Sequence, residues 1–511
     1  MASSQSQTSN APDMKLFVTC FIALITTSFG FIVRIFCIAD WGKEFGLSAT
    51  QQGEIFGVGL WPFAISIVLF SLIIDRIGYK TALAFAFACH VISVVLTLMA
   101  KGYNSLYWAT FIVALGNGTV EAVINPVVAT MFNKDKAKWL NALHAGWPGG
   151  LALAGVIAIA MGDVSWKVKV LLILIPTIIY GVMMIPMKFP VNERVAAGVS
   201  YKDMLSQAGA LGILIVTYLI FMELGRVFEW SMAVKWGLII VSTVAYGLYV
   251  KSLGRPLFVL LLLIMLPLAT TELGTDSWVT ALMGPAMGRI GLNAGWVLVY
   301  TSTIMTILRF FAGPIIHKLS PLGLLMLSSL LAAVGLVFLS KAAGIGVLAA
   351  ATLYGIGKTF FWPTMLAVVS ERFPKGGALT LNATGGVGML GVGVVGAVFL
   401  GFIQDTSIDK GIAKYDQANN TALHSTYVTQ AKTSILGSYE AVDQEKLATA
   451  PDQDKAAISD ATEKAKMDAL RNVAIFPIIM FLCYGAIFLY FKSKGGYKPV
   501  HLADAAAPNE Y

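Results

Sequence analysis

Apolar residues fill this chain in runs of about twenty or more, each closed by a short polar turn. A bilayer's hydrocarbon layer is roughly 30 Å thick, which an α-helix crosses with about 20 residues. By that measure the pattern predicts helices over residues 14–38, 54–74, 81–100, 106–131, 139–161 and 168–187. A pair follows over 207–227 and 231–251, then six more over 256–282, 292–316, 322–340, 344–369, 377–403 and 472–491. The fold class is therefore an all-α polytopic membrane protein of fourteen spans, in the order six, two, six. Residues 1–187 form an N-terminal bundle, 188–255 a linker with the inserted pair, 256–491 a C-terminal bundle and 492–511 a tail. Residues 404–471 break the pattern. They form a polar stretch rich in Asp, Lys, Ala and Gln whose composition permits either helix or disorder, and to which no chemistry is attached.

Composition sharpens this picture. The 511 residues are 57% hydrophobic and 13% charged, against about 25% charged in soluble domains. A net charge of +8 raises the question of nucleic acid, but the basic residues sit in turns and read as topology signals. Arg76, Lys80, Lys134, Lys136, Lys138, Lys188, Arg194, Lys202, Lys251, Arg255, Lys318, Arg372, Lys375, Lys492, Lys494 and Lys498 share one side. That side is predicted to be cytoplasmic, with both termini on it and 404–471 outside, in a multi-pass protein of the plasma membrane (a bacterial inner membrane). Residues 1–13 are polar and the first apolar run is too long for a leader's core, so no cleavable signal is expected. Cys20, Cys37, Cys89 and Cys483 all lie in apolar runs, without metal-ligand spacing.

The two sets of six resemble each other. Ser71–Lys80, SLIIDRIGYK, matches Gly313–Gly323, GPIIHKLSPLG. Gly118, Glu121 and Pro126 align with Gly355, Lys358 and Pro363 at one constant offset, and Leu140-Asn141-Ala142 resembles Leu381-Asn382-Ala383. Parallel repeats of six helices mark alternating-access carriers, whose solute site lies between the halves.

The Ser71–Lys80 motif and Arg309-x-x-x-Gly313 resemble the paired motifs of the major facilitator superfamily. The glycine-led run that carries Glu121, Asn125 and Pro126, and the Leu-Asn-x-x-His run ending at His144, are similar to the fucose:proton symporter, or sugar permease, group. The resemblance implies a proton-linked acid at Glu121. The acid that this group carries in its first helix has no counterpart, since residues 14–38 contain Arg34 and no Asp or Glu.

Charged groups within the apolar runs are costly and mark function or pairing. Glu121 is the candidate proton-coupling residue, the alternative being a structural ion pair with Lys358 at the matching place in the second half. Candidate solute ligands are Arg34, Asn125, Asn141, His144, Trp147, Lys358, Glu272 and Asp276. Glu272 and Asp276 stand four apart on one helix face, which suits a second proton or sodium site, or an outer gate. The bland alternative is helix packing for Asn125, Asn141, His144 and Trp147, snorkelling for Arg34 and the pair with Glu121 for Lys358. Asp75, Arg76, Lys80 and Arg309 are expected to form a cytoplasmic gate.

These features predict a monomeric secondary transporter importing a small polar solute, a sugar by first choice, by proton symport. An organic-anion or acidic-sugar carrier using Arg34 and Lys358 for the carboxylate is the alternative. No cofactor, metal or nucleic acid is called for; the coupling ion is a proton, with sodium as the other choice. No nucleophile–base set sits at one depth, which argues against an enzyme. A channel or receptor stays open on sequence.

Overall fold

The computed structural model describes residues 12–275, 295–342, 346–434 and 437–502. Twelve of the described helices are long and apolar enough to cross a membrane, and the shorter apolar helix Gly295–Phe310 takes the place of another predicted span. The remaining one, predicted over 344–369, is built from two pieces, Gly346–Lys358 and Phe361–Arg372.

In chain order the first half consists of α1 (Met14–Phe45), α2 (Ala49–Gly57), α3 (Trp61–Ile77), α4 (Tyr79–Leu98), α5 (Tyr103–Met131), α6 (Lys136–His144), α7 (Gly146–Met161), α8 (Trp166–Leu171) and α9 (Leu174–Met184). The linker carries α10 (Glu193–Ala196), and the inserted pair is α11 (Tyr201–Val227) and α12 (Met232–Val250). The second half begins with α13 (Pro256–Ala269), which widens into a π-helical turn at Thr270–Gly274. It continues through α14 (Gly295–Phe310), α15 (Ala312–Leu339), α16 (Gly346–Lys358), α17 (Phe361–Arg372) and α18 (Gly377–Gly391).

Prolines explain where spans bend or break. A proline at position i has no N–H for the carbonyl at i−4 and its ring crowds that carbonyl. Pro126 lies within α5, Pro148 just inside α7 and Pro363 just inside α17. The carbonyls of Ala122, His144 and Thr359 are thereby left without a helical donor, and each needs one from elsewhere once buried.

The halves meet along two seams, α7 against α14 and α3 against α18. Close helix crossings rest on glycine. A Cβ at Gly118 of α5 would lie 2.1 Å from the Phe63 carbonyl oxygen of α3. Gly118→Ala is therefore expected to cost about 1–3 kcal/mol through overpacking, read as a lowered melting temperature of the purified protein.

The inserted pair packs chiefly on the second half, α11 lying against α13 and α18. It reaches the first half through side-chain tips: Tyr201 Oη donates to the Leu72 carbonyl at 3.1 Å, and Phe228 meets Trp61 with ring centroids 6.4 Å apart.

Residues 404–471, left between helix and disorder by composition, fold. Helix α19 (Ala397–Asn419) runs on from a second π-helical turn, Val392–Gly396, and is followed by α20 (Leu423–Tyr427) and an antiparallel hairpin, β1 (Val428–Ser434) with β2 (Gly437–Val442). After α21 (Gln444–Ala448), α22 (Asp452–Val473) returns alongside α19 and leads into the last span, α23 (Ile475–Ser493). Ile408, Ile412, Leu423, Tyr427, Val428 and Ile458 give this extension its own core. A separate apolar core, rather than length, is what lets so polar a stretch hold one shape.

Candidate functional site

Glu121 lies on α5, 5% exposed. Asn125, one turn on, donates to its Oε2 at 2.7 Å, and the Asn125 Oδ1 meets His144 Nε2 at 2.9 Å. The i, i+4 spacing places the first two on one helix face, and the end of α6 supplies the third. A chain of polar groups thus runs from the Glu121 carboxyl to the break between α6 and α7.

The second half joins it there through Arg309, in the last turn of α14. Its Nη1 donates to the His144 carbonyl at 2.8 Å and its Nε to the Thr359 carbonyl at 2.7 Å. These are the two carbonyls that Pro148 and Pro363 deprive of helical donors. Its Nη2 pairs with Glu272 Oε1 at 2.6 Å. The other carboxylate oxygen, Glu272 Oε2, accepts from the Trp362 N–H at 2.9 Å, and Lys358 Nζ approaches the Glu272 carbonyl at 3.4 Å while lying 5.5 Å from the Tyr354 ring centroid. Arg309, Glu272 and Lys358 are all below 5% exposure, so this is a charge cluster withdrawn from water.

The third orphaned carbonyl, that of Ala122, accepts from Asn382 Nδ2 at 3.1 Å, again across the seam. Asn141, the matching residue of the first half, reaches the other way, donating to Thr364 Oγ1 at 3.2 Å and to its own helix at the Ala137 carbonyl. The halves are therefore stitched by polar groups at the places where their helices break.

Glu121, Asn125, His144, Glu272 and Lys358 are thus brought into one network, with Asn141 beside it. Among the described residues no ion pair joins Glu121 to Lys358; Asn125 stands on the Glu121 carboxyl instead. Asp276 lies outside the described residues. Arg34 is placed elsewhere. Its guanidinium is buried within the first half and donates to Ser93 Oγ at 2.6 Å, Thr110 Oγ1 at 3.0 Å and Thr97 Oγ1 at 3.2 Å, so hydroxyls of α4 and α5 occupy the edge expected to meet a solute. Trp147 packs on Phe31, centroids 5.8 Å apart. Arg309 is not at the end of the bundle, where the pattern places a gate, but deep in the seam, because the last turn of α14 points inward at the two proline breaks.

The lysine-rich end is closed by a different set. Asp75 pairs with Arg194 of the linker, Arg76 lies over the Tyr201 ring, and Lys80 Nζ donates to the Ile185 carbonyl at 2.5 Å. Contact between halves at this end comes from Lys136, which pairs with Glu193 at 2.7 Å and donates to the Ser370 carbonyl at 3.3 Å. A cavity of about 20 Å³, room for a water, remains between Pro126, Lys136, Glu193, Ser370 and Gly377. Sequence gives Arg194 a place among the topology signals and leaves Glu193 unmarked, since nothing in a short polar linker identifies its partners.

The family model of the Major Facilitator Superfamily matches residues 16–397. The chain belongs to that superfamily. It is a multi-pass membrane transporter by family, and the fucose:proton symporter of E. coli shares its fold, with a TM-score of 0.55 at 14% identity over 91% of this chain and 99% of that one. Among curated proteins, a hexuronate transporter of Bacillus subtilis is 32% identical over 142 residues, 27% of this chain and 33% of the relative. A gentisate transporter of Corynebacterium glutamicum is 27% identical over 144 residues, 27% of this chain and 32% of the relative. The chain thus aligns with about a third of the length of these curated relatives.

Proposed function

We propose that the protein is a secondary active importer of a small carboxylate-bearing solute, an acidic sugar or related organic acid, driven by protons through alternating access. The observation that carries this is the convergence of Arg309 and Lys358 on Glu272, facing the Glu121–Asn125–His144 chain across the seam. A guanidinium fork and an ammonium suit a carboxylate, and a carboxyl shielded from water can carry the coupling proton. The names of the curated relatives, hexuronate and gentisate transporters, both denote acids and support the same class. Arg34 has no part in this version of the anion reading. The lysine-rich side is the cytoplasmic one, the membrane is the plasma membrane, and the working unit is a monomer without a cofactor.

A neutral sugar is the second reading, favoured by the amides and imidazole of Asn125, Asn141 and His144, which suit hydroxyl groups. Proteoliposomes with an imposed inward proton gradient distinguish the two. Uptake is expected to be competed by uronates and monocarboxylates and not by neutral sugars. Uptake indifferent to the proton gradient would remove proton coupling, and competition by neutral sugars alone would favour the second reading.

A further inference from the structure

We propose that Asn117 is a donor subsite for a hydroxyl oxygen of the solute, its amide held in that sense by His90 and Tyr180. This rests on the transport reading above and narrows its solute class to hydroxylated acids.

Asn117 stands on α5 four residues before Glu121, so the two share one helix face, about 6 Å apart along the axis. Its Oδ1 lies 2.9 Å from His90 Nε2 on α4, and His90 Nδ1 lies 2.9 Å from Tyr180 Oη on α9. Gly116 permits this approach of α4 to α5, since a Cβ there would lie 3.0 Å from His90 Cδ2.

Burial sets the direction of the chain. His90 and Tyr180 are both 0% exposed, and the Tyr180 phenol has His90 as its one hydrogen-bond partner among the described residues. A buried O–H must find an acceptor, so the phenol donates to Nδ1, and the proton of the neutral ring sits on Nε2, which donates to Asn117 Oδ1. The opposite tautomer would donate from Nδ1 to the phenol oxygen and strand the phenol hydrogen. A doubly protonated ring would do the same.

With Oδ1 committed, Asn117 has only the two N–H donors of Nδ2 left to offer. The residue is 94% buried, yet Nδ2 meets no acceptor among the described residues and is not sealed from solvent. Opposite it α1 presents Gly30, where a Cβ would lie 3.9 Å from Nδ2, so the residue facing the amide there has no side chain to cover it. A neutral amide donor suits a hydroxyl oxygen and leaves the solute's carboxylate to the cations of the second half. Asn117 is thus the contact that reads hydroxylation, with His90 and Tyr180 as positioning residues behind it.

The first test reads the tautomer in the purified full-length protein by nitrogen NMR of isotope-labelled histidine, with the His90 signal assigned from His90→Gln. Wild type is expected to show a neutral His90 protonated on Nε2; protonation on Nδ1 would turn the amide round and overturn the proposal. Tyr180→Phe is expected to populate the Nδ1–H form, and full retention of Nε2–H without the phenol would overturn the part given to Tyr180. The second test measures Kd by calorimetry for D-glucuronate and its monodeoxy derivatives. One derivative is expected to bind wild type about tenfold more weakly than the parent does. Asn117→Ala is expected to bind D-glucuronate about tenfold more weakly and no longer to distinguish it from that derivative, a coupling that a merely structural role would not produce. If Asn117→Ala weakens the parent and every derivative by one factor, or weakens none, the subsite is overturned while the anion reading stands. If wild type binds D-glucose and not D-glucuronate, the anion reading falls, and the same comparison on monodeoxy glucoses decides the subsite.

Discussion

Glu121→Gln is expected to abolish voltage-driven accumulation of the solute while sparing exchange. One proton carried with one carboxylate moves no net charge, so voltage-driven accumulation requires a further proton, and Glu121 is the candidate to carry it. One elementary charge crossing 100 mV supplies about 2.3 kcal/mol, an accumulation of about 50-fold. Glutamine keeps the shape and can still meet Asn125, now as a neutral amide, so folding should survive. Proteoliposomes holding a potassium diffusion potential, negative inside, should concentrate labelled solute with the wild type and fail to do so with the variant. Counterflow of labelled against unlabelled solute should persist in both. Equal voltage-driven accumulation by the two proteins would show that Glu121 carries no coupling proton, whatever its place in the network.

Arg194→Ala is expected to loosen the lysine-rich end. Arg194 is buried, pairs with Asp75 and donates to the Val199 carbonyl at 2.6 Å, and its removal leaves the Asp75 carboxylate without its cation. Breaking a buried pair by deleting one partner costs about 3–5 kcal/mol. Spent on the closed state, that shifts the balance toward opening at this end by about a hundredfold or more. A cysteine placed at Ala129, buried in α5 near the small cavity, should then react with a water-soluble maleimide about a hundredfold faster than in the parent protein. Adding Asp75→Asn removes the stranded charge and should recover much of the protection. If labelling is unchanged by Arg194→Ala, closure rests on Lys136 and its bond to the Ser370 carbonyl instead.

Much of the architecture follows from the chain's own pattern. Apolar runs of membrane-spanning length specify helices because a backbone in hydrocarbon must satisfy its own hydrogen bonds. The matched Gly118, Glu121, Pro126 and Gly355, Lys358, Pro363 disclose the repeat. The i, i+4 placement of Glu121 and Asn125 requires only helical geometry. Even the orphaned carbonyls at Ala122, His144 and Thr359 are implied by Pro126, Pro148 and Pro363, since the missing donor is a covalent fact.

Which groups supply those donors depends on the packing of the two halves. Asn382 and Arg309 reach carbonyls far away in the chain because the seam brings α18 to α5 and α14 to the α6–α7 break. The same packing sets the Arg34 guanidinium against the hydroxyls of Ser93, Thr97 and Thr110, since a guanidinium in α1 is as compatible with a crevice as with those hydroxyls until neighbouring helices are positioned. Local hydrogen-bond chemistry is written residue by residue and determines where donors are lacking; the partner that fills each gap is selected by tertiary contact, where burial makes an unmet carbonyl or an unpaired charge too costly to leave alone.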